Sequence, residues 1–306
     1  MTRAAAALLV AAAIMAGTQT VPAISHQYAE VNGVRLHYAK AGSGPLILFL
    51  HGFPEFWYEW QRQLVEFGRD HTAVAPDMRG YNLSAKPEEL SAYAVPTLVE
   101  DVRALAAELL KSTGGQKFTL VAHDWGGAVA WVFAAMHPEL LERLVIVNAP
   151  HPTVFARELR DNPAQQQASQ YMLLFRSPAA EATLSANNYS TLATIVGISG
   201  EDRDAYIAAW SQPGALTGGL NYYRASRVGP PQPDDPPAAP PQPLMIRVPT
   251  LVIWGEQDTA LLTGNLDGLD KYVSPLTIRR IPDATHWVVR EKPAEVNRLI
   301  REFLAR

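Results

Sequence analysis

A carboxylate stands at the centre of the segment VAHDWGG, residues 121–127, where an apolar run meets an Ala-rich helical pattern. The glycines after it favour a sharp strand-to-helix turn, because such a turn crowds neighbouring side chains and exposes the central one. Serine is the usual central residue of this turn, and here it is Asp124. A serine attacks carbonyl carbons, whereas a carboxylate is a useful nucleophile towards an electrophilic sp3 carbon, such as that of an epoxide or alkyl halide. The segment therefore predicts a nucleophilic Asp124.

Two further residues complete a catalytic order along the chain. Asp258 follows the apolar run 249–254, and His286 follows a second run at 276–281. Open α/β sheets gather reactive groups at the carboxyl ends of their strands, so these two residues are expected to meet Asp124 there. Asn148 also follows an apolar run, but an amide cannot take a charged role. Asp258 is therefore the predicted acid of a nucleophile, acid and histidine triad.

The turn HGFP, residues 51–54, directly follows the apolar run 46–50 and can direct a backbone N–H into the same site. The N–H of Phe53, paired with that of Trp125, would form an oxyanion hole for a tetrahedral intermediate. His51 is expected to hold the loop through hydrogen bonds of its ring. A proton-transfer role is less favoured because His286 is the better placed base.

Alternating apolar and helical patterns supply the scaffold for these residues. Two stretches, 27–31 and 34–41, predict an antiparallel strand pair around the hairpin turn Asn32-Gly33. Buried parallel strands are predicted by apolar runs at 46–50, 72–76, 118–123, 143–147, 249–254 and 276–281. Helical patterns lie at 57–69, 97–112, 127–136 and 293–305. The order predicts an α/β fold with a doubly wound sheet.

Six motifs resemble those of the soluble epoxide hydrolases of the α/β-hydrolase superfamily. They are HGFPEFWYEW (51–60), DMRGYNLSAKP (77–87), VAHDWGG (121–127), NAPHP (148–152), GEQD (255–258) and DATHW (283–287). The resemblance runs from about Tyr28 to the C-terminus, leaving the region 228–243 uncovered. It implies a mostly parallel eight-stranded sheet with helices on both faces and an inserted helical lid. It also implies hydrolysis of an epoxide to a vicinal diol through a covalent ester on Asp124.

The resemblance adds two lid tyrosines to the expected catalytic residues. In that family two tyrosines hold the epoxide oxygen, one in a Tyr-x-x-x-Phe stretch and one in a Leu-Asn-x-Tyr-Arg stretch. This chain has YMLLF at 171–175 and LNYYR at 220–224, so Tyr171 and Tyr223 would take those roles. Without the family, a tyrosine in an apolar helix is more often an edge-of-core residue with its hydroxyl in water.

The same resemblance divides the chain into a core, 24–150 and 244–306, and a helical lid, 151–243. In the lid region the strand pattern stops and helical stretches take over. The lid ends in a proline-rich run, 229–243, whose composition forbids helix and favours extended polyproline geometry. Such a run can be an SH3-type ligand, but a lid-to-core connector is the preferred interpretation.

Two alternatives to epoxide hydrolysis remain open at this stage. Haloalkane dehalogenases share the Asp-Trp pair but place an Asn-like halide donor directly after His-Gly, where this chain has Phe53. The lid tyrosine pair also favours an epoxide. A non-catalytic ligand-binding protein could use the same scaffold, since fold alone proves no activity. A pure binding role would not need Asp258 and His286.

Composition excludes several other function classes. The chain has 306 residues, of which 48% are hydrophobic and 18% charged, and a formal net charge of −4. Without a basic stripe it is not expected to bind nucleic acid. Its 8 histidines lack H-E-x-x-H spacing, so neither a metal nor a cofactor is expected, and the partners are a small epoxide and water. The absence of cysteine excludes disulfides and thiol catalysis.

The N-terminus predicts export. Residues 1–3 carry one positive charge, residues 4–17 form an apolar run too short to span a bilayer comfortably, and the small-residue site Val21-Pro22-Ala23 follows. We interpret residues 1–23 as a signal peptide, which predicts a secreted or periplasmic protein without a stable membrane span after its removal. An uncleaved anchor or an Ala-rich extension is the alternative.

Overall fold

A computed structural model of the protein describes residues 21–232 and 243–306. The chain enters the sheet through the predicted hairpin, β1 (Ser25–Val31) and β2 (Val34–Ala41), which pair antiparallel. Asn32 and Gly33 form the turn with φ angles of 47° and 74°. Two consecutive positive φ angles match the right-handed twist of the flanking strands, which explains why Asn-Gly occupies this turn.

The sheet has eight strands in the order β1-β2-β4-β3-β5-β6-β7-β8. β2 runs antiparallel to β4, and the neighbouring pairs from β4 to β8 are parallel. The predicted eight-stranded, mostly parallel sheet is therefore confirmed, with strand ends shifted by up to two residues. The remaining strands are β3 (Leu46–Leu50), β4 (Thr72–Pro76), β5 (Phe118–His123), β6 (Leu141–Val147), β7 (Thr250–Gly255) and β8 (Leu276–Ile281).

Helices cover the chain between and after these strands. The predicted helix 57–69 begins as a 3-10 turn and becomes α-helical only at Gln61, and the helix predicted from 127 already begins at Asp124. In the described ranges the α-helices are α1 (Gln61–Phe67), α2 (Val95–Thr113), α3 (Asp124–Met136), α4 (Pro152–Asp161), α5 (Pro163–Ala168), α6 (Tyr171–Arg176), α7 (Ala180–Val196), α8 (Gly200–Trp210), α9 (Ala215–Ser226), α10 (Val288–Glu291) and α11 (Pro293–Leu304). Shorter 3-10 turns lie at Trp57–Trp60, Leu90–Tyr93, Pro138–Leu140, Thr263–Leu266 and Leu269–Lys271.

Both faces of the sheet are buried, which is why its central strands read as continuous apolar runs. In β3, Leu46, Leu48 and Leu50 belong to one apolar core, and Ile47 and Phe49 belong to the other. This split follows from the two-residue period of a strand. The first core includes side chains of α2 and α3, and the second includes side chains of α1 and α11.

Helices α4–α9 lie between β6 and β7, in the range predicted for the lid. α7 is interrupted at residues 186–189, where three successive residues have left-handed backbone angles. Most of the predicted proline-rich connector lies outside the described residues, as does the predicted signal peptide apart from residues 21–23. Across the two described ranges, no helix is both long and apolar enough to cross a membrane.

Candidate active site

Asp124 is the first residue of α3 and follows directly on β5. Its φ of 48° is unusual for a residue other than glycine, and such strain is typical of a nucleophile held on a tight turn. A Cβ atom added at Gly52 would lie 2.2 Å from Asp124 Oδ1, and one at Gly126 would lie 2.4 Å from the backbone oxygen of Leu50. Both glycines are therefore required for the close approach of the two loops.

The three predicted triad residues meet at the carboxyl ends of β5, β7 and β8. His286 Nδ1 lies 2.7 Å from Asp258 Oδ2, which is hydrogen-bonding distance. His286 Nε2 lies 3.7 Å from Asp124 Oδ2 on the other side of the ring. The imidazole thus stands between the two carboxylates, with one nitrogen engaged by Asp258 and the other facing the nucleophile.

Asp258 is held by three donors in addition to the histidine. The backbone N–H groups of Ala260 and Leu261 donate to its Oδ1 at 2.8 and 2.9 Å. The side-chain amide of Asn148 donates to Oδ2 at 2.9 Å, while Asn148 Oδ1 accepts from the N–H of Gly255 at 2.7 Å. Sequence reasoning denied Asn148 a charged role but missed this neutral one. The available signal was that Asn148 follows an apolar run, 143–147, just as Asp258 follows the run 249–254.

Electrostatics around His286 favour its protonated form in the resting site. Burial lowers the pKa of His286, but the carboxylates of Asp258 and Asp124 outweigh burial, and this pKa is raised to about 9. Burial also opposes ionisation of Asp258, yet His286 and the surrounding donors lower the pKa of that carboxyl. The pair therefore carries opposite charges at neutral pH.

One predicted oxyanion donor already contacts the nucleophile. The backbone N–H of Phe53 donates to Asp124 Oδ1 at 2.7 Å. Trp125 lies in the first turn of α3, where backbone N–H groups have no acceptor within the helix. His51 holds the loop as expected: its Nε2 accepts from the N–H of Met78 at 2.9 Å, and its Nδ1 lies 2.8 Å from the oxygen of Gly52. Burial lowers the pKa of His51 to about 4, so its ring is neutral.

The two lid tyrosines face the same cavity as Asp124. The cavity has a volume of about 320 Å³ and is mainly apolar; it is lined by Val95, Asp124, Trp125, Ala128, Val132, Pro150, Pro152, Phe155, Ala156, Leu159, Tyr171, Met172, Tyr223, Ser226, Val228 and Leu261. The rings of Tyr171 and Tyr223 have their centroids 6.4 Å apart. Burial and the nearby Asp124 raise the pKa of both phenols well above the usual value, so both remain protonated donors at neutral pH.

A pair of glycines in α9 brings Tyr223 to the site. A Cβ atom at Gly218 would lie 2.3 Å from the backbone oxygen of Gly80, and one at Gly219 would lie 2.8 Å from the Phe53 ring. The neighbouring Tyr222 donates its hydroxyl to the oxygen of Arg79 at 2.8 Å. The absence of side chains at these glycines lets α9 lie directly on the core, and this close packing fixes the position of Tyr223 beside the cavity.

A second buried pair behind His286 was not found from the sequence. The Nε2 of His123 lies 3.0 Å from the backbone oxygen of His286, and its Nδ1 lies 2.6 Å from Oε1 of Glu59. Burial raises the pKa of Glu59 and lowers that of His123 to about 4, so both directions favour an uncharged pair. Glu59 and its partner His123 are far apart along the chain, so no local sequence pattern indicated that they form a pair.

Buried polar contacts also join the core to the lid. Glu55 accepts from Arg290 Nε at 3.1 Å and from the hydroxyl of Tyr206 in α8. Arg290 also donates to the backbone oxygen of Val196 at the end of α7. Within the part of the chain that the structure describes, no cluster of three or more His, Asp or Glu side chains is arranged to hold a metal ion.

Comparison with known proteins places the chain in a family. The model of the alpha/beta hydrolase fold matches residues 45–293. The AB hydrolase superfamily protein YfhM of Bacillus subtilis is 40% identical over 291 residues, covering 91% of this chain and 97% of that protein. Epoxide hydrolase 4 of Homo sapiens is 37% identical over 300 residues, covering 92% of this chain and 79% of that protein. A mutant epoxide hydrolase from Bacillus megaterium, complexed with its naphthyloxy-propanediol product, has a TM-score of 0.80 at 37% identity, covering 92% of this chain and 100% of that one.

The fold and the family model together define an α/β hydrolase. Within that class, the relatives at 36–37% identity show that the chain belongs to the epoxide hydrolase family. The fold and the family predicted from the motifs are both confirmed.

Proposed function

We propose that the protein converts an epoxide and water to a vicinal diol through a covalent ester on Asp124. The observation that carries the proposal is one apolar cavity in which a carboxylate faces two protonated tyrosines. The diol product bound by the B. megaterium relative is consistent with it. The first test is gas chromatography of the products of aromatic, terminal aliphatic and fatty-acid epoxides, which should yield diols.

In the first step Asp124 attacks an epoxide carbon, and the carbon–oxygen bond of the ring breaks. Oδ2 is the suitable attacking atom, because Oδ1 is engaged by the N–H of Phe53. An alkoxide is a poor leaving group, so Tyr171 and Tyr223 donate to the departing oxygen as it gains charge. No base is needed, since a carboxylate is already ionised near neutral pH.

Formation of the ester prepares the second step by removing a charge. The Asp124 carboxylate is one of the groups that raise the pKa of His286, and the ester is neutral. Alkylation therefore lowers the pKa of His286, and its proton passes by way of the tyrosine hydroxyls to the opened epoxide oxygen. This transfer leaves the neutral imidazole that can act as a base. Asp258 continues to hold the ring in position through the 2.7 Å contact.

In the second step His286 takes a proton from a water molecule, which attacks the ester carbonyl carbon. The carbonyl oxygen is Oδ1, which then carries the negative charge of the tetrahedral intermediate. The N–H of Phe53, at 2.7 Å, and that of Trp125 stabilise this charge. As the intermediate collapses, the bond between the Asp124 carboxyl carbon and the alkyl oxygen breaks. The carboxyl proton left from the attacking water passes to that oxygen, which releases the diol and restores the Asp124 carboxylate beside protonated His286.

The lid tyrosines distinguish epoxide opening from halide displacement. Tyr171→Phe and Tyr223→Phe should each slow alkylation, and the double variant should lose about 10² to 10⁴ in rate, the usual contribution of a positioned acid. Halide leaves without a proton, so a dehalogenase would hardly respond to these changes. Stopped-flow measurement of ester formation tests this expectation.

Tyr189→Phe is the matched control, since Tyr189 is a lid tyrosine that does not line the cavity. A double variant that opens epoxides at the parent rate would remove these tyrosines from the mechanism. Halide release from an alkyl bromide is not expected from the parent enzyme.

We also propose that residues 1–23 are a signal peptide and that the mature protein is secreted or periplasmic. The proposal rests on the charge and apolar pattern of the N-terminus. N-terminal sequencing of protein from the native host should find a start near Ile24. An intact Met1 in that protein would contradict export by cleavage.

A further inference from the structure

The cavity beside Asp124 is a slot that follows one face of α3. Asp124, Ala128 and Val132 all line it. Their spacing of four residues puts them on one face of the helix over about two turns. With a rise of ~1.5 Å per residue, Val132 lies about 12 Å from Asp124 along the helix axis. The slot is therefore elongated and extends from the nucleophile along α3.

Helix α4 supplies further apolar lining along the slot. Phe155, Ala156 and Leu159 line it, and their spacing places them on one helix face. Within the described ranges, no lysine, arginine or histidine lines the slot, and Asp124 is its one carboxylate. A charged group inside it would lose hydration without gaining a partner, which is costly. A carboxylate would in addition face the negative charge of Asp124.

Aromatic rings pack around the other neighbours of Asp124. The centroid of the Phe53 ring lies 5.1 Å from that of Phe175 and 5.6 Å from that of Tyr223. The Trp287 ring lies 4.8 Å from the His286 ring. In the part of the chain that the structure describes, Phe53, Phe175 and Trp287 do not line the slot. These sides of the nucleophile thus offer little room for a second large substituent.

We propose that the site takes neutral epoxides with one elongated apolar substituent, the oxirane lying at Asp124 and the substituent lying along α3 towards Val132. This inference rests on the proposed function, because it names the substrate class of the same site. A terminal epoxide satisfies it with its single arm in the slot. An epoxide with a long substituent on each ring carbon has to place one of the two against the packed rings of Phe53, Phe175 and Trp287.

Isomeric epoxides test the shape of the slot. For the oxides of 1-butene, 1-hexene and 1-octene, kcat/KM should rise about two- to fourfold per methylene, because each one buries apolar surface. The oxide of trans-4-octene has the same formula as that of 1-octene but two arms, and should be at least about tenfold poorer. Equal rates for these isomers, or no rise with chain length, would overturn the inference.

Charge is tested with an acid and its ester. The oxide of 6-heptenoic acid should have a kcat/KM at least about tenfold below that of its methyl ester, because the carboxylate would have to enter the apolar slot. The two compounds share the oxirane and the chain length. Equal values for acid and ester would contradict the requirement for a neutral substituent.

A substitution at the far end of the slot tests its position. Val132→Phe should lower kcat/KM for 1-octene oxide about tenfold more than that for 1-butene oxide, because the short chain does not reach residue 132. Met136→Phe is the control: it lies one turn further along α3, is 50% exposed and does not line the slot. An unchanged octene-to-butene ratio in Val132→Phe would place the substituent elsewhere.

Binding of the diols separates this inference from the proposed function. Binding without turnover can be measured by the quenching of tryptophan fluorescence. The part of this quenching that disappears in Trp125→Phe is the contribution of Trp125, which lines the slot. Octane-1,2-diol should bind more tightly than octane-4,5-diol by about tenfold, roughly the contribution of two buried methylenes. If the enzyme opens no epoxide, the proposed function fails and this ranking still tests the slot. Equal affinities would overturn the slot assignment even in an active enzyme.

Discussion

In a single turnover in oxygen-18 water, the first diol released should contain no label, and the label should appear in the carboxylate of Asp124. The reason is that Asp124 supplies the oxygen that bonds to the epoxide carbon, and water then attacks the carbonyl carbon of the ester. The carboxylate thereby exchanges one of its oxygens for one from water. Mass spectrometry of the diol and of the peptide that contains Asp124, with enzyme in excess over substrate, makes the measurement.

The matching variant is Asp124→Ala, which removes the nucleophile. We expect turnover to fall by about 10⁴-fold or more, comparable with the loss of other covalent nucleophiles. The fold should persist, because the turn accepts a smaller side chain beside Gly52 and Gly126. Asp161→Ala is the control, since Asp161 is an exposed carboxylate at the end of α4. Full label in the first diol would mean direct attack by water and would exclude the ester.

The second large effect concerns His286→Gln, which should accumulate the ester. Alkylation needs no base, so Asp124 should still react with the epoxide. Hydrolysis should slow by about 10² to 10⁴, the usual loss for a general base. Intact-protein mass spectrometry should therefore find the enzyme with one added epoxide mass, and peptide mapping should locate that mass on Asp124.

His71→Gln is the control for this experiment, because His71 directly precedes β4 at the amino ends of the parallel strands, whereas the site lies at their carboxyl ends. That variant should turn over normally and show no adduct. An His286→Gln protein that binds substrate but forms no adduct would mean that His286 acts before alkylation. The division of labour proposed for the two steps would then be wrong.

The oxygen-18 and adduct experiments test the same chemistry from opposite directions. The oxygen-18 experiment follows the oxygen atom that passes from Asp124 to the diol. The adduct experiment stops the reaction at the ester, while that oxygen still joins the substrate to Asp124. The charge linkage between Asp124 and His286 connects them, since loss of the carboxylate charge lowers the pKa of the base. Agreement of both results would establish the ester as the intermediate.

The sequence by itself determined the strands of the sheet, their positions along the chain and the candidate triad. These features are local: an apolar run identifies a buried strand, and Asp124, Asp258 and His286 each follow such a run. The Asn-Gly hairpin could be predicted for the same reason, because its backbone geometry depends on two adjacent residues. Boundaries such as the start of α3 at Asp124 were less well defined, since the turn and the helix overlap there.

The tertiary structure alone decided what surrounds these residues. Asn148 supports Asp258 because β6 and β7 are neighbours in the sheet, although the two residues are 110 apart along the chain. Gly218 matters only because α9 approaches Gly80, and the slot along α3 exists only because α4 faces it. Each of these features depends on the packing of distant segments, which a pattern along one segment does not encode. The physical division is therefore between local backbone preferences, readable from the sequence, and contacts made when separate elements close on one another.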